Sequence, residues 1–170
     1  YGFKRAAGFM DVVCYTGNQT AGATQAHNLG VAPEMMIVKQ RKVGEARPWS
    51  IYHRGIDASA PEDYRISFTT GARVDDLGQW NDTAPTDSVF TLGDSTYVNN
   101  NNETYIAYLF ATLAGVSKVG SYTGTGADLN VDCGFTAGAR FILIKRSDST
   151  GDWYVYDSAR GIVAGNDPYF

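Results

Sequence analysis

Two histidines, His27 and His53, two cysteines, Cys14 and Cys133, and a scatter of carboxylates are the residues of this 170-residue chain that could do acid–base, nucleophilic or metal chemistry. Their spacing argues against it. There is no HExxH, HxH or CxxC pattern of the kind that builds zinc sites, and no GxSxG nucleophile elbow. Asp57 follows His53 by four residues, a spacing that unites two side chains on a helix but not on a strand running into a loop. His53 therefore reads as a polar residue of a loop or strand edge. The two cysteines read as small buried side chains. Asp128, Asp132, Asp148 and Asp152 lie in turn-like contexts that favour Asp for backbone reasons. Asp75, Asp76 and Asp82 flank Trp80, without a pair recognisable as the two acids that a glycosidase holds about 5 to 9.5 Å apart. The oxygen-rich stretch from Asp94 to Glu103 lacks the alternating acids of a calcium loop and reads as a solvated hairpin tip. No catalytic residue, metal ligand or cofactor is expected.

Flat rings beside amides and carboxylates suit sugars, and Trp80-Asn81-Asp82, set in polar surroundings, is the best local match to a glycan contact. Burial of the Trp80 ring competes with that reading, because large aromatics usually bury their surface. Trp49 and Trp153 recur at equivalent places and read as core anchors.

The elements that must carry these residues are strands. Runs rich in Val, Ile, Tyr, Phe and Thr span 11–16, 35–40, 48–53, 64–69, 88–92, 104–113, 118–123, 141–146 and 152–157, separated by Gly, Asn and Asp turn clusters. Many short strands with turns between them predict an all-β fold, an antiparallel β-sandwich or jelly-roll-like unit. A helix competes at 105–111, where Asn100 and Glu103 could form a capping box. The aromatic and β-branched neighbours favour strand.

Composition narrows the function classes. Apolar residues make up 44% and charged residues 19%, which is globular. A net charge of −4 without a basic run excludes phosphate-backbone binding as the expected role. No apolar run approaches the length of a membrane helix, and no basic-then-apolar leader or disulfide framework is visible.

The chain repeats itself. Residues 1–17 and 108–124 align without a gap at an offset of 107, sharing eight of seventeen positions, among them Gly8/Gly115 and Tyr15-Thr16-Gly17/Tyr122-Thr123-Gly124. Downstream, Met36–Lys39 parallels Ile142–Lys145, Trp49–Tyr52 parallels Trp153–Tyr156, and Arg54-Gly55-Ile56 parallels Arg160-Gly161-Ile162. The expected division is 1–8 as the end of a preceding unit, 9–115 as a complete unit and 116–170 as the first half of another.

With these strings in view, the chain resembles a repeated domain of tailed-bacteriophage virion proteins of the tail-fibre-like kind. The resemblance is carried by Phe9-Met10-Asp11-Val12-Val13, Tyr15-Thr16-Gly17, His27–Glu34, Trp80–Pro85, Tyr105–Ala111, Gly120–Gly124 and Lys145–Trp153. It implies a non-enzymatic structural or adhesion module located in the virion. It implies self-association, commonly as a homotrimer, and contact with other virion proteins. The alternative is a carbohydrate-binding module for host surface glycan, with Trp80, Asn81 and Asp82 as the contact.

Overall fold

The computed structural model describes residues 2–42 and 44–161. Ile162 and the rest of 162–170, together with Tyr1, lie outside the described residues. The fold is all-β and antiparallel. Its strands are β1 (Met10–Thr16), β2 (Ala23–Ala26), β3 (Met35–Gln40), β4 (Ser50–His53), β5 (Tyr64–Arg65), β6 (Val74–Asp75), β7 (Val89–Leu92), β8 (Thr104–Phe110), β9 (Phe141–Lys145) and β10 (Trp153–Asp157). A helical turn, Leu77–Trp80, and a 3-10 turn, Pro61–Asp63, complete the regular structure among the described residues.

A four-stranded sheet in the order β1-β8-β3-β4 faces the β2-β7 pair. Period-two alternation places Tyr105, Ala107 and Leu109 of β8 inward, with Met36 and Val38 of β3 beside them. Phe90 and Leu92 of β7, Leu29, Val98 and Trp80 close the core from the other side. The competition at 105–111 is won by strand. Asn100 and Glu103 form a turn instead, the Glu103 N–H donating to the Asn100 carbonyl (3.2 Å), and the Glu103 carboxylate pairs with Lys42 at 2.7 Å.

The opposite face of β3 and β4 carries a second apolar cluster, with Ile51, Ile56 and Ile66 buried and Met35, Ile37, Tyr64 and Trp153 packed against them. Trp153 belongs to β10, so the β9–β10 hairpin lies against the first unit. Its two strands repeat the register of β3–β4: Met36↔Tyr52 and Ile37↔Ile51 in one, Ile142↔Tyr156 and Leu143↔Val155 in the other.

Three expectations are corrected. The 64–69 strand is only Tyr64–Arg65, extended by a bridge between Ile66 and Ile51. Residues 118–123 form no strand, although β1, their counterpart, does. β1 pairs with β8, and the 170 residues hold no second copy of β8 for 118–123 to pair with. Local β propensity cannot substitute for a partner strand. Conversely, β2 carries only Ala, Thr and Gln, and is a strand because Val89–Leu92 pairs with it.

Candidate functional site

Trp80 is a core residue, 1% exposed. Its indole Nε1 donates to the Tyr64 carbonyl at 3.1 Å, and its ring meets Tyr52 edge-on with centroids 6.2 Å apart. Asn81 ends the helical turn in the left-handed region (φ 55°) and its N–H donates to the Leu77 carbonyl, while Asp82 follows at φ 44°. Asn and Asp tolerate that conformation better than other side chains. The triplet is thus a core anchor followed by a helix stop, and the Trp80 ring offers no face on which a sugar could stack.

The Asp94–Glu103 stretch is not a solvated tip. Val98 and Asn99 are fully buried, and Asn99 staples three segments. Its Oδ1 accepts from the Asn18 N–H at 2.9 Å, and its Nδ2 donates to the carbonyls of Thr20 (3.0 Å) and Gly93 (2.8 Å). Tyr15 stacks on Tyr105 at 5.2 Å and donates its hydroxyl to the Val98 carbonyl, while Tyr105 donates to the Thr96 carbonyl and accepts from the Asn100 N–H. Gly17 passes so close to this loop that a Cβ on it would lie 2.3 Å from the Asn100 carbonyl oxygen. These contacts account for Tyr15 and Gly17 of the Tyr-Thr-Gly triplet.

The histidines are structural. His27 is buried, its Nε2 facing the Thr86 carbonyl at 3.2 Å while Nδ1 accepts from the Leu29 N–H at 3.2 Å. His53 closes a turn: its Nδ1 accepts from the Gly55 N–H at 3.0 Å. In the second unit Asp157 does the same, Oδ1 accepting from the Ala159 N–H at 3.0 Å. The position requires a hydrogen-bond acceptor rather than an imidazole. Burial holds the His53 imidazole below its ordinary range, with the Glu34 charge opposing. Cys14 is exposed and Cys133 half-buried, against the expectation of burial, because Cys14 points outward from the edge strand β1.

An open polar cleft of about 570 Å³ separates the end of the first unit from Lys118–Ser121. Its charges are mostly committed to one another. Glu34 holds Arg54 at 3.0 Å and accepts from the Thr112 N–H at 2.7 Å. Arg73 holds Asp57 at 2.9 Å and donates to the Ile56 carbonyl. The Ser59 and Ala60 amides, then Arg73, hold the Asp57 carboxyl below the usual carboxylate range, against desolvation. Among the described residues no group of three His, Cys, Asp or Glu is placed to hold a metal ion.

The most developed packing outside the main core lies where the β9–β10 hairpin meets the segment from Trp49 to Arg73. Phe68 lies between the repeat-equivalent tryptophans, 5.8 Å from Trp49 and 4.8 Å from Trp153. Trp153 Nε1 donates to the Ser67 carbonyl at 2.9 Å, the Gly151 N–H to the Thr70 carbonyl at 2.9 Å, and the Arg73 N–H to the Ser147 carbonyl at 2.8 Å. Both tryptophans are half-buried ring contacts at this junction rather than deep core anchors. Each hairpin also keeps one lysine. Lys39 donates to the Arg47 carbonyl and Lys145 to the Gly151 carbonyl, in each case two residues before the tryptophan. The repeat in the sequence pointed to Trp49 and Trp153. Nothing in the local sequence singled out Phe68 or Asn99.

One comparison with known proteins gives a match: the family model for a domain of unknown function, DUF7483, aligns with residues 3–167. No curated protein and no solved structure matches.

Proposed function

We propose that this chain, which belongs to the DUF7483 family, is a non-catalytic structural module of a phage virion appendage of the tail-fibre kind. In this reading the module assembles into a longer repetitive object and presents its surface outside the particle. The observation that carries the reading is the junction: two hairpins of identical register, one from each repeat, with Trp153 of the second bonded to Ser67 and packed on Phe68 of the first. A repeat whose neighbours bury apolar surface on one another is how a tandem array gains rigidity. The resemblance to tail-fibre-like virion domains supplies the virion and the expected homotrimer. The mutual pairing of charges in the cleft supports a structural rather than a catalytic use of that surface.

Mass spectrometry of purified virions from the genome that encodes the chain tests the location. Peptides from the chain are expected among the tail proteins, and their absence sinks the virion reading. Light scattering on the purified chain tests the assembly, with a trimer expected and a strict monomer at high concentration removing the homotrimer. A host-glycan role draws no support from Trp80, whose ring is in the core.

A further inference from the structure

The open cleft of about 570 Å³ between Arg54–Asp57 and Lys118–Ser121 has acceptors that are engaged and donors that are not. Three cations line it, Arg54, Arg73 and Lys118, against two carboxylates, Glu34 and Asp57, in a chain whose net charge is −4. Both carboxylates already bond within the protein. One Glu34 oxygen accepts from Arg54 at 3.0 Å and the other from the Thr112 N–H at 2.7 Å. Asp57 Oδ1 accepts from the Ser59 and Ala60 amides, and Oδ2 from Arg73. The cations are far less occupied. A guanidinium carries five donors. Arg73 uses Nη1 alone, for the Ile56 carbonyl and Asp57, and Arg54 uses Nη1 alone, for Glu34. Lys118 is exposed and has no hydrogen bond or ion pair among the described residues.

The walls that carry these donors are held in place. Arg73 lies over the Tyr64 ring, 4.4 Å from its centroid, which with the Asp57 pair fixes the plane of its guanidinium. Beside Lys118, the Val119 N–H donates to Thr112 Oγ1 at 3.1 Å, and the Thr112 amide is the one held by Glu34. At Gly55 a Cβ would lie 2.8 Å from the Ser121 side chain, so glycine lets the Arg54-Gly55 turn close against the 118–121 wall. Donors fixed before a ligand arrives lose little freedom on binding it.

We infer that this cleft binds a small organic anion, a carboxylate or phosphate group carried on a polar body about the size of one sugar ring. The anion's oxygens take the free donors of Arg54, Arg73 and Lys118, the side chains best suited to oxyanions. The volume lies within the range of small-molecule sites, so the cleft has room for more than a bare ion. A neutral body gains little there, because the two carboxylates that could receive its hydroxyls are already bonded. The site is separate from Trp80–Asp82, and the inference is independent of the virion reading.

The test titrates the full chain with glucuronate, glucose 6-phosphate and glucose, and follows backbone amide shifts by NMR. The first probe carries a carboxylate, the second a phosphate and the third neither. Saturable shifts at Gly55, Arg73 and 118–121 are expected with at least one of the two anions, and none with glucose. Which anion binds more tightly separates the two chemistries. Lys118→Gln removes an exposed charge and should weaken binding about fivefold, while Lys4→Gln, outside the cleft, should leave it unchanged. Absence of a saturable shift with both anions overturns the proposal, as does an equal response to glucose. So does an equal loss in Lys4→Gln and Lys118→Gln, since that is attraction to overall charge and not to this cleft.

Discussion

Gly8 and Gly115 hold the same left-handed backbone, at φ 72° and 73°, in turns closed by equivalent bridges, Ala6↔Met10 and Leu113↔Ser117. The bonds match as well: Ala6 N–H to the Met10 carbonyl at 2.9 Å, Leu113 N–H to the Ser117 carbonyl at 3.1 Å. An L side chain in this region costs about 1 kcal/mol or somewhat more. A Cβ would meet only Leu113 Cδ1 at 3.6 Å from Gly8 and nothing from Gly115, so conformation alone sets the cost. We expect Gly8→Ala and Gly115→Ala each to destabilise its unit by about 1 kcal/mol in urea titrations. A neutral result at both positions would show that the turn is not what the repeated glycine preserves.

The junction gives a sharper readout. Trp153→Ala removes the ring from Phe68 and the indole bond to the Ser67 carbonyl. The side chain is only half-buried, so the loss should be about 2 kcal/mol rather than the larger cost of a deep core tryptophan. We expect limited proteolysis to cut within 118–161 in the variant while the core of the first unit stays protected. Equal protection of both halves would mean that the hairpin is held by something other than this ring.

Asn99 is expected to be the most sensitive polar residue. Asn99→Ala strands the Asn18 N–H and the Thr20 and Gly93 carbonyls beside a fully buried site. The bond to the Gly93 carbonyl is buried and those to Asn18 and Thr20 are part-buried, so with about 1–3 kcal/mol for an orphaned buried group a total near 3 kcal/mol is expected in chemical denaturation. Asn81→Ala and Asp82→Ala, at the end of the helical turn, should cost well under half of that. If all three substitutions cost the same, the staple is not the source of the loop's order.

Much of the fold was legible because residue type is local. β3 and β8 could be read from runs rich in Val, Ile, Tyr and Phe, and the repeat marks β9–β10 as a second β3–β4. What could not be read depends on partners distant in sequence. Asn99 looks like a turn residue until Asn18 and Thr20 arrive some eighty positions away. Trp80 looks like a sugar platform because its neighbours are polar, although Asn81 and Asp82 are polar for the backbone's sake. Residues 118–123 carry a strand sequence and have no strand partner among the described residues, and propensity reports only the first.

His53 sets a pH dependence whose sign follows from its burial. Its folded value lies below the ordinary imidazole value of 6.5, first because burial disfavours the cation, with the Glu34 charge opposing. The unfolded chain therefore takes up the proton first as pH falls. Stability from the neutral ring is fully present above about 6.5, is lost progressively between that value and the lower folded value, and falls no further below it. Protonation also removes the Nδ1 lone pair that accepts from the Gly55 N–H, so the turn loses its closing bond in the same window. His53→Asn keeps an acceptor in reach of that N–H and carries no titrating proton, much as Asp157 serves the second unit with a carboxylate oxygen. We expect thermal melts between pH 7.5 and 5 to show a steeper loss of stability in the parent chain than in His53→Asn. Parallel curves for the two proteins would mean that the half-buried ring does not report the pH of this turn.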